Sequence, residues 1–145
     1  MKPSEIKFHS LDSKPEGSAF FELLPRPYKK ECWNADSIYL DEEVFGLIEP
    51  VIIESVMTYD HYAFTELRPK EIERIIERLD ALSSLLRSSD AQPKSRLGYF
   101  FQTTEREVEA DWPNFRLHII DLCDDLSLWM KQILNSGRII TILGI

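Results

Sequence analysis

The chain is poor in most of what catalysis, cofactor binding or export would require. It has only two cysteines, Cys32 and Cys123, with no CxxC and no paired histidines, so neither a disulfide framework nor a zinc motif is indicated. They read as reduced thiols of a cytoplasmic protein, with Cys123 a small buried side chain in a helical pattern. Its five glycines make neither GxGxxG nor GxxxxGK(S/T), which excludes nucleotide binding through such loops. The serines of "LSSLL" and "RSSD" fall in no nucleophile elbow. No apolar run approaches the roughly 20 residues of a membrane-spanning helix. The opening "MKPSEIKFHSLDSKPEGS" lacks the apolar core of a signal peptide, so neither membrane insertion nor export is expected.

The most local absence is positive charge. Glu31, Asp36, Asp41, Glu42, Glu43, Glu49, Glu54, Asp60 and Glu66 are nine carboxylates between Glu31 and Leu67, without one Lys or Arg. The whole chain holds 25 acidic and 17 basic residues for a net charge of −8, so the entire negative excess belongs to this segment. Such a balance argues against a nucleic acid partner, which needs clustered cations. A single-sign surface costs self-repulsion that mixed charges avoid, and it suits a strongly basic partner.

What is present is enough apolar sequence, 43% of 145 residues, for one domain spanning 1–145 with its own core. Residues 1–18 are expected to be irregular. "AFFELL" is a short apolar island, readable as a strand or one helical turn. Val44, Leu47 or Ile48, Val51 or Ile52, and Ser55 or Val56 recur at helical intervals, with Asp41, Glu42 and Glu43 suited to the first turn of that helix. Pro50 should kink or divide it. "LRPKEIERIIERLDALSSLLRSS" is the clearest helix. Pro69 sits at its start, Leu67 can staple onto Ile72, and a stripe runs through Ile75, Ile76, Leu79, Leu82 and Leu86. Glu71, Arg74, Glu77 and Arg78 form its solvated face. Residues 88–96 read as a surface loop and "LGYFF" as a short strand. A capping box is expected at Thr104 and Glu107. A last helix carries Phe115, Ile119, Leu122, Leu126, Trp129 and Ile133 and stops at Gly137. The closing "RIITILGI" reads as a strand pairing with the "AFFELL" or "YAFTEL" region. The expected class is α+β, predominantly helical, with amphipathic helices and a few short strands.

Candidates for chemistry are weak. His118, Asp121 and Asp125 share a helical face and could meet one metal ion, but the second histidine of a catalytic motif is missing, and a polar face with His118 paired to Asp121 is the simpler reading. Asp60 and His61 lie between Tyr59 and Tyr62, where neighbouring side chains point in different directions. Amphipathic rings beside a charge are the composition of a binding hot spot. No cofactor and no metal are expected.

"CWNADSIYLDEEVFGLIEPVI", "YDHYAFTEL" and "WMKQILNSGRIITILGI" together resemble the small acidic immunity proteins that bacteria encode beside polymorphic or contact-dependent growth-inhibition toxins. The resemblance implies a cytoplasmic protein without catalysis, which binds a cognate toxin domain, often a nuclease with a basic surface. The face expected to bind, from charge and aromatic content, comprises Asp41, Glu42, Glu43, Glu49, Tyr59, Asp60, His61, Tyr62 and Glu66. Reversing Glu42, Glu43 and Asp60 to lysine is expected to abolish binding and leave the fold intact. The alternative is a small enzyme or metal-binding protein using His61 or His118 with neighbouring carboxylates. An adaptor in a larger assembly is a third possibility, and the oligomeric state stays open.

Overall fold

A computed structural model describes every residue except Ser18, Lys94 and Ile145. In it, four helices pack on one face of a four-stranded antiparallel sheet. The elements run β1 (Phe20–Leu24), β2 (Ile38–Asp41), α1 (Glu42–Ser55), β3 (Phe64–Leu67), α2 (Pro69–Ser88), α3 (Gln102–Ala110), α4 (Trp112–Asn135) and β4 (Ile140–Leu143). Among the described residues helix accounts for 49% and strand for 13%, so the fold is α+β, with helix the larger share.

The strand order is β2-β1-β4-β3. The closing strand therefore lies inside the sheet, between the "AFFELL" strand and the "YAFTEL" strand, and pairs with both. Phe21, Leu23, Leu40, Ile140 and Ile142 enter the helical core. Phe20, Glu22, Leu24, Tyr39, Thr141 and Leu143 point to the other face and are buried too. Burial on both faces is why β1 and β4 read as continuous apolar runs.

The cover on the outer face is an irregular strap, residues 25–37, anchored by one buried carboxylate. Glu22 is 3% exposed. Its Oε1 accepts from the Trp33 amide at 2.7 Å, and Oε2 accepts from the Asn34 amide at 3.2 Å, Asn34 Nδ2 at 2.8 Å and Ser37 Oγ at 2.6 Å. Lys30 and Trp33 hold positive φ of 63° and 61°, a conformation that non-glycine residues keep only where surrounding structure demands it. Trp33 stacks on Tyr39 with ring centroids 5.7 Å apart. The N-terminal segment docks at the sheet's β2 edge, where His9 exchanges two backbone hydrogen bonds of 2.8 Å with Tyr39, and it buries Ile6.

Pro50 neither breaks nor divides α1, which runs from Glu42 to Ser55 behind an Asp41 cap accepting from the Glu43 amide at 2.9 Å. A proline has no N–H for the carbonyl four residues earlier, that of Gly46. The chain at Gly98 lies in the notch so formed, and its amide donates to the Leu47 carbonyl at 3.2 Å. A Cβ at Gly98 would stand 2.3 Å from Gly46 O and 2.9 Å from Pro50 Cδ. Gly98→Ala should therefore destabilise the fold by about 1–3 kcal/mol, the cost of overpacking a tight core contact. A denaturant titration would read this as a lowered midpoint at constant slope; an unchanged midpoint would remove the notch from the account.

The same docking overturns two expectations. "LGYFF" forms no strand, because Gly98 and Phe100 are drawn onto α1. The third helix starts at Gln102, with Phe101 rather than a hydroxyl residue at its cap, since Thr104 Oγ1 donates to Glu43 Oε2 at 2.6 Å instead. In α2, Glu71 leaves the solvated face. It is 4% exposed, and its Oε1 accepts from the Arg68 amide at 3.0 Å and Nε at 3.2 Å. Helix α4 buries more than one stripe, adding Ile120, Cys123, Ser127 and Met130, while Trp129 is only half-buried.

Candidate functional site

The acidic segment holds one organised cluster, centred on His61. The turn after α1 carries the imidazole back over that helix, so that Nδ1 lies 2.6 Å from Glu49 Oε1 and Nε2 lies 3.4 Å from Glu42 Oε1. The ring stacks on Phe100 at 5.0 Å and meets Phe21 and Tyr62 edge-on at 4.9 and 4.7 Å. Phe100 is there because the Gly46–Pro50 notch admits the chain around Gly98. Tyr59 Oη donates to Glu49 Oε1 at 2.7 Å. Burial, reinforced by the Glu49 hydrogen bond and charge, pushes the Tyr59 phenol well above its ordinary pKa. It therefore stays a proton donor to that carboxylate at any physiological pH.

Both imidazole nitrogens face carboxylates. The cluster is in the first place a tie between the turn at residues 56–63 and helix α1. It takes Glu42, Glu49, Tyr59 and His61 largely out of the binding face that charge and aromatic content suggested. Asp41 is committed to the helix cap and Glu43 to Thr104. Asp36 pairs with Arg26 and Glu54 with Arg78, both on the surface. Three carboxylates of the segment, Glu31, Asp60 and Glu66, stand exposed and outside any ion pair among the described residues. Asp60 Oδ1 accepts only from the Tyr62 amide, at 2.9 Å.

The same segment also exposes large apolar side chains, of which the sequence reading singled out only Tyr62. Of the nine large hydrophobic side chains exposed among the described residues, Trp33, Ile53, Met57, Tyr62 and Phe64 belong to the acidic segment. That is five of nine from about a quarter of the chain. Met57 is fully exposed, Tyr62 is 73% exposed and Phe64 is 56% exposed. Ile53 had a signal, since it falls outside the helical spacing of Val44, Leu47, Ile48, Val51 and Ile52.

The second histidine assembles nothing comparable. His118 Nδ1 donates to the Asn114 carbonyl at 3.0 Å rather than to Asp121. No three His, Cys, Asp or Glu side chains converge as a metal site among the described residues. An open groove of about 910 Å³ lies between the N-terminal segment and the start of α1, bordered by Lys7, His9, Phe20, Asp41 and Glu43, and it does not reach His61. Among the described residues no helix is long and apolar enough to cross a membrane.

The two thiols differ sharply. Cys123 is buried, and burial, aided by the Asp124 and Asp80 charges, pushes its pKa up to about 12, whereas Cys32 is exposed in the strap. Titration with a thiol-specific disulfide reagent near neutral pH should find one reactive cysteine in the native protein and two after unfolding. Two in the native state would mean that α4 opens readily.

No protein family, no curated protein and no solved structure matches this chain. The functional reading rests on its own geometry and charge.

Proposed function

We propose that the chain is a non-catalytic binding protein of the immunity type, which neutralises a cognate basic toxin domain, of the nuclease kind, by forming a tight complex in the cytoplasm. The observation that supports this is the coincidence within residues 31–67 of the whole negative excess with five of the nine exposed large hydrophobics. Charge alone would describe a solvated face. Exposed aromatic, isoleucine and methionine side chains among unpaired carboxylates describe a surface that steers a cation-rich partner and then buries area against it.

The contact residues of this reading are Asp60, Tyr62 and Glu66 from the sequence-based set, joined by Glu31, Trp33, Met57 and Phe64. Glu42 and Glu49 support them by holding His61. The charge-reversal test therefore moves. Lysine at Glu42 or Glu43 would break contacts to His61 or Thr104, so loss of binding there would be ambiguous. Glu31→Lys, Asp60→Lys and Glu66→Lys, combined, alter only exposed groups. Capture from the native organism should recover a basic domain in one-to-one ratio whose activity the wild type inhibits. The triple variant should lose that capture at an unchanged melting temperature. Association should also slow with salt, since steering is screened over about 10 Å at 0.1 M ionic strength. Equal capture by the triple variant, or a salt-independent on-rate, would sink the electrostatic reading. The enzyme or metal-binding alternative has less support, because both nitrogens of His61 already face carboxylates.

A further inference from the structure

The sheet's two edges are treated differently. Beyond β2, the chain's own His9 takes the backbone groups of Tyr39. Beyond β3 nothing does so among the described residues. The register Phe64↔Leu143, Thr65↔Ile142, Glu66↔Thr141, Leu67↔Ile140, with the Gly144 amide donating to the Ala63 carbonyl, makes Thr65 and Leu67 the residues that exchange hydrogen bonds with β4. In an antiparallel ladder the intervening residues then turn their N–H and C=O outward. These are Phe64 and Glu66, and no partner for their backbone groups exists among the described residues.

An open edge is a liability that folds usually bury, bulge or protect with lysine or proline. This one is only four residues long and carries one charge, Glu66, but no lysine, proline, bulge or covering segment protects it among the described residues, and Phe64 stands exposed two residues before that glutamate. Tyr62 and Asp60 precede it, and the strand's inward hydroxyl, Thr65 Oγ1, is buried without a hydrogen-bond partner. We propose that β3 is the docking edge of this protein, to which an extended segment of the basic partner adds as a fifth, antiparallel or parallel strand. The incoming strand sets a cation against Glu66 and an apolar side chain against Phe64.

This deepens the binding reading and rests on it for the sign of the partner. Main-chain hydrogen bonds would supply affinity and the flanking side chains specificity, as in other strand-addition complexes. A second copy of the chain is the poorer occupant. Pairing β3 with itself brings Glu66 and Asp60 of one copy toward those of another, each molecule carrying a net charge of −8.

The test uses the full chain labelled with ¹⁵N and three short blocked peptides. One alternates lysine and valine, one alternates glutamate and valine, and one is the lysine–valine peptide N-methylated at every residue, which keeps its charge and removes its backbone donors. The lysine–valine peptide alone should slow amide exchange at Phe64 and Glu66 and shift their resonances. Glu66→Lys should weaken it about tenfold, the worth of one charge-assisted contact, and should admit the glutamate–valine peptide. Equal binding of the methylated peptide, or shifts at Asp60 and Glu66 without slowed exchange, would overturn strand addition and leave the acidic-surface reading standing. No binding of the lysine–valine peptide would also overturn it, with capture of the native partner deciding the broader reading separately. Slowed exchange that grows with protein concentration and no peptide would assign the edge to a second copy and overturn the proposal.

Discussion

Glu22→Ala is expected to destabilise the protein by about 3–5 kcal/mol, since it strands several donors that a buried charge satisfied. The trimmed side chain leaves the Trp33 and Asn34 amides, Asn34 Nδ2 and Ser37 Oγ without their acceptor. Only Ser37 among those donor residues is itself buried, and water can reach part of the rest, which keeps the loss below a simple sum. Glu22→Gln separates charge from shape. It retains one acceptor oxygen and turns an NH₂ group toward donors, so it should cost roughly 1–2 kcal/mol. Urea unfolding of the three proteins gives the order, and amide exchange gives the location, with residues 25–37 exposed first. If both variants unfold at the wild-type midpoint, the strap is held by Trp33 stacking and the Arg26–Asp36 pair rather than by Glu22.

His61→Ala should lower stability by roughly 3 kcal/mol, near the lower end for deleting a packed aromatic ring. The substitution removes the plane on which Phe100 stacks and leaves Glu42 and Glu49, two turns apart on α1, without the imidazole that bridges them. His61→Phe keeps the ring and discards its nitrogens, so it measures the carboxylate contacts separately. It should recover about half of the loss, because Glu49 retains Tyr59 while neutral hydrogen bonds are worth about 1 kcal/mol each. Thermal unfolding compares the three. A wild-type melting temperature for His61→Ala would free His61 from a structural role and reopen the enzyme alternative.

Those two residues also mark where a sequence can be read and where it cannot. Helices α2 and α4 were legible because burial repeats at their own period, from Ile72 to Leu86 and from Phe115 to Ile133. Both strands beside β4 were legible as apolar or alternating runs. The phase of "YAFTEL" was not, since Phe64 and Leu67 compete for the core. Leu67 wins because α2 begins two residues later and fixes it inside, which turns Phe64 out. The surplus of carboxylates was countable, but its division was not. Glu42 and Glu49 turn inward only because the turn after α1 brings His61 back across residues distant in sequence. Glu22 looked like a single charge in an apolar island, and nothing nearby announced that Trp33, Asn34 and Ser37 would supply its donors. The notch at Pro50 has the same character. A proline in a helical pattern reads as a break until the glycine that fills the gap is known, and Gly98 lies beyond an entire intervening helix.

The position of β4 has a consequence for how the molecule is made. It follows the other three strands in sequence yet lies inside the sheet, and among the described residues β3 has no strand partner except β4. During synthesis β1 and β2 can form their hairpin early, while β3 waits beside α1 with both edges unpaired until β4 emerges. Pairings between segments far apart in sequence close slowly, because the loop entropy precedes the reward. The strand thus waits on the ribosome as an exposed template, and with no lysine on it the charge of Glu66 is what repels neighbouring chains and guards against premature association.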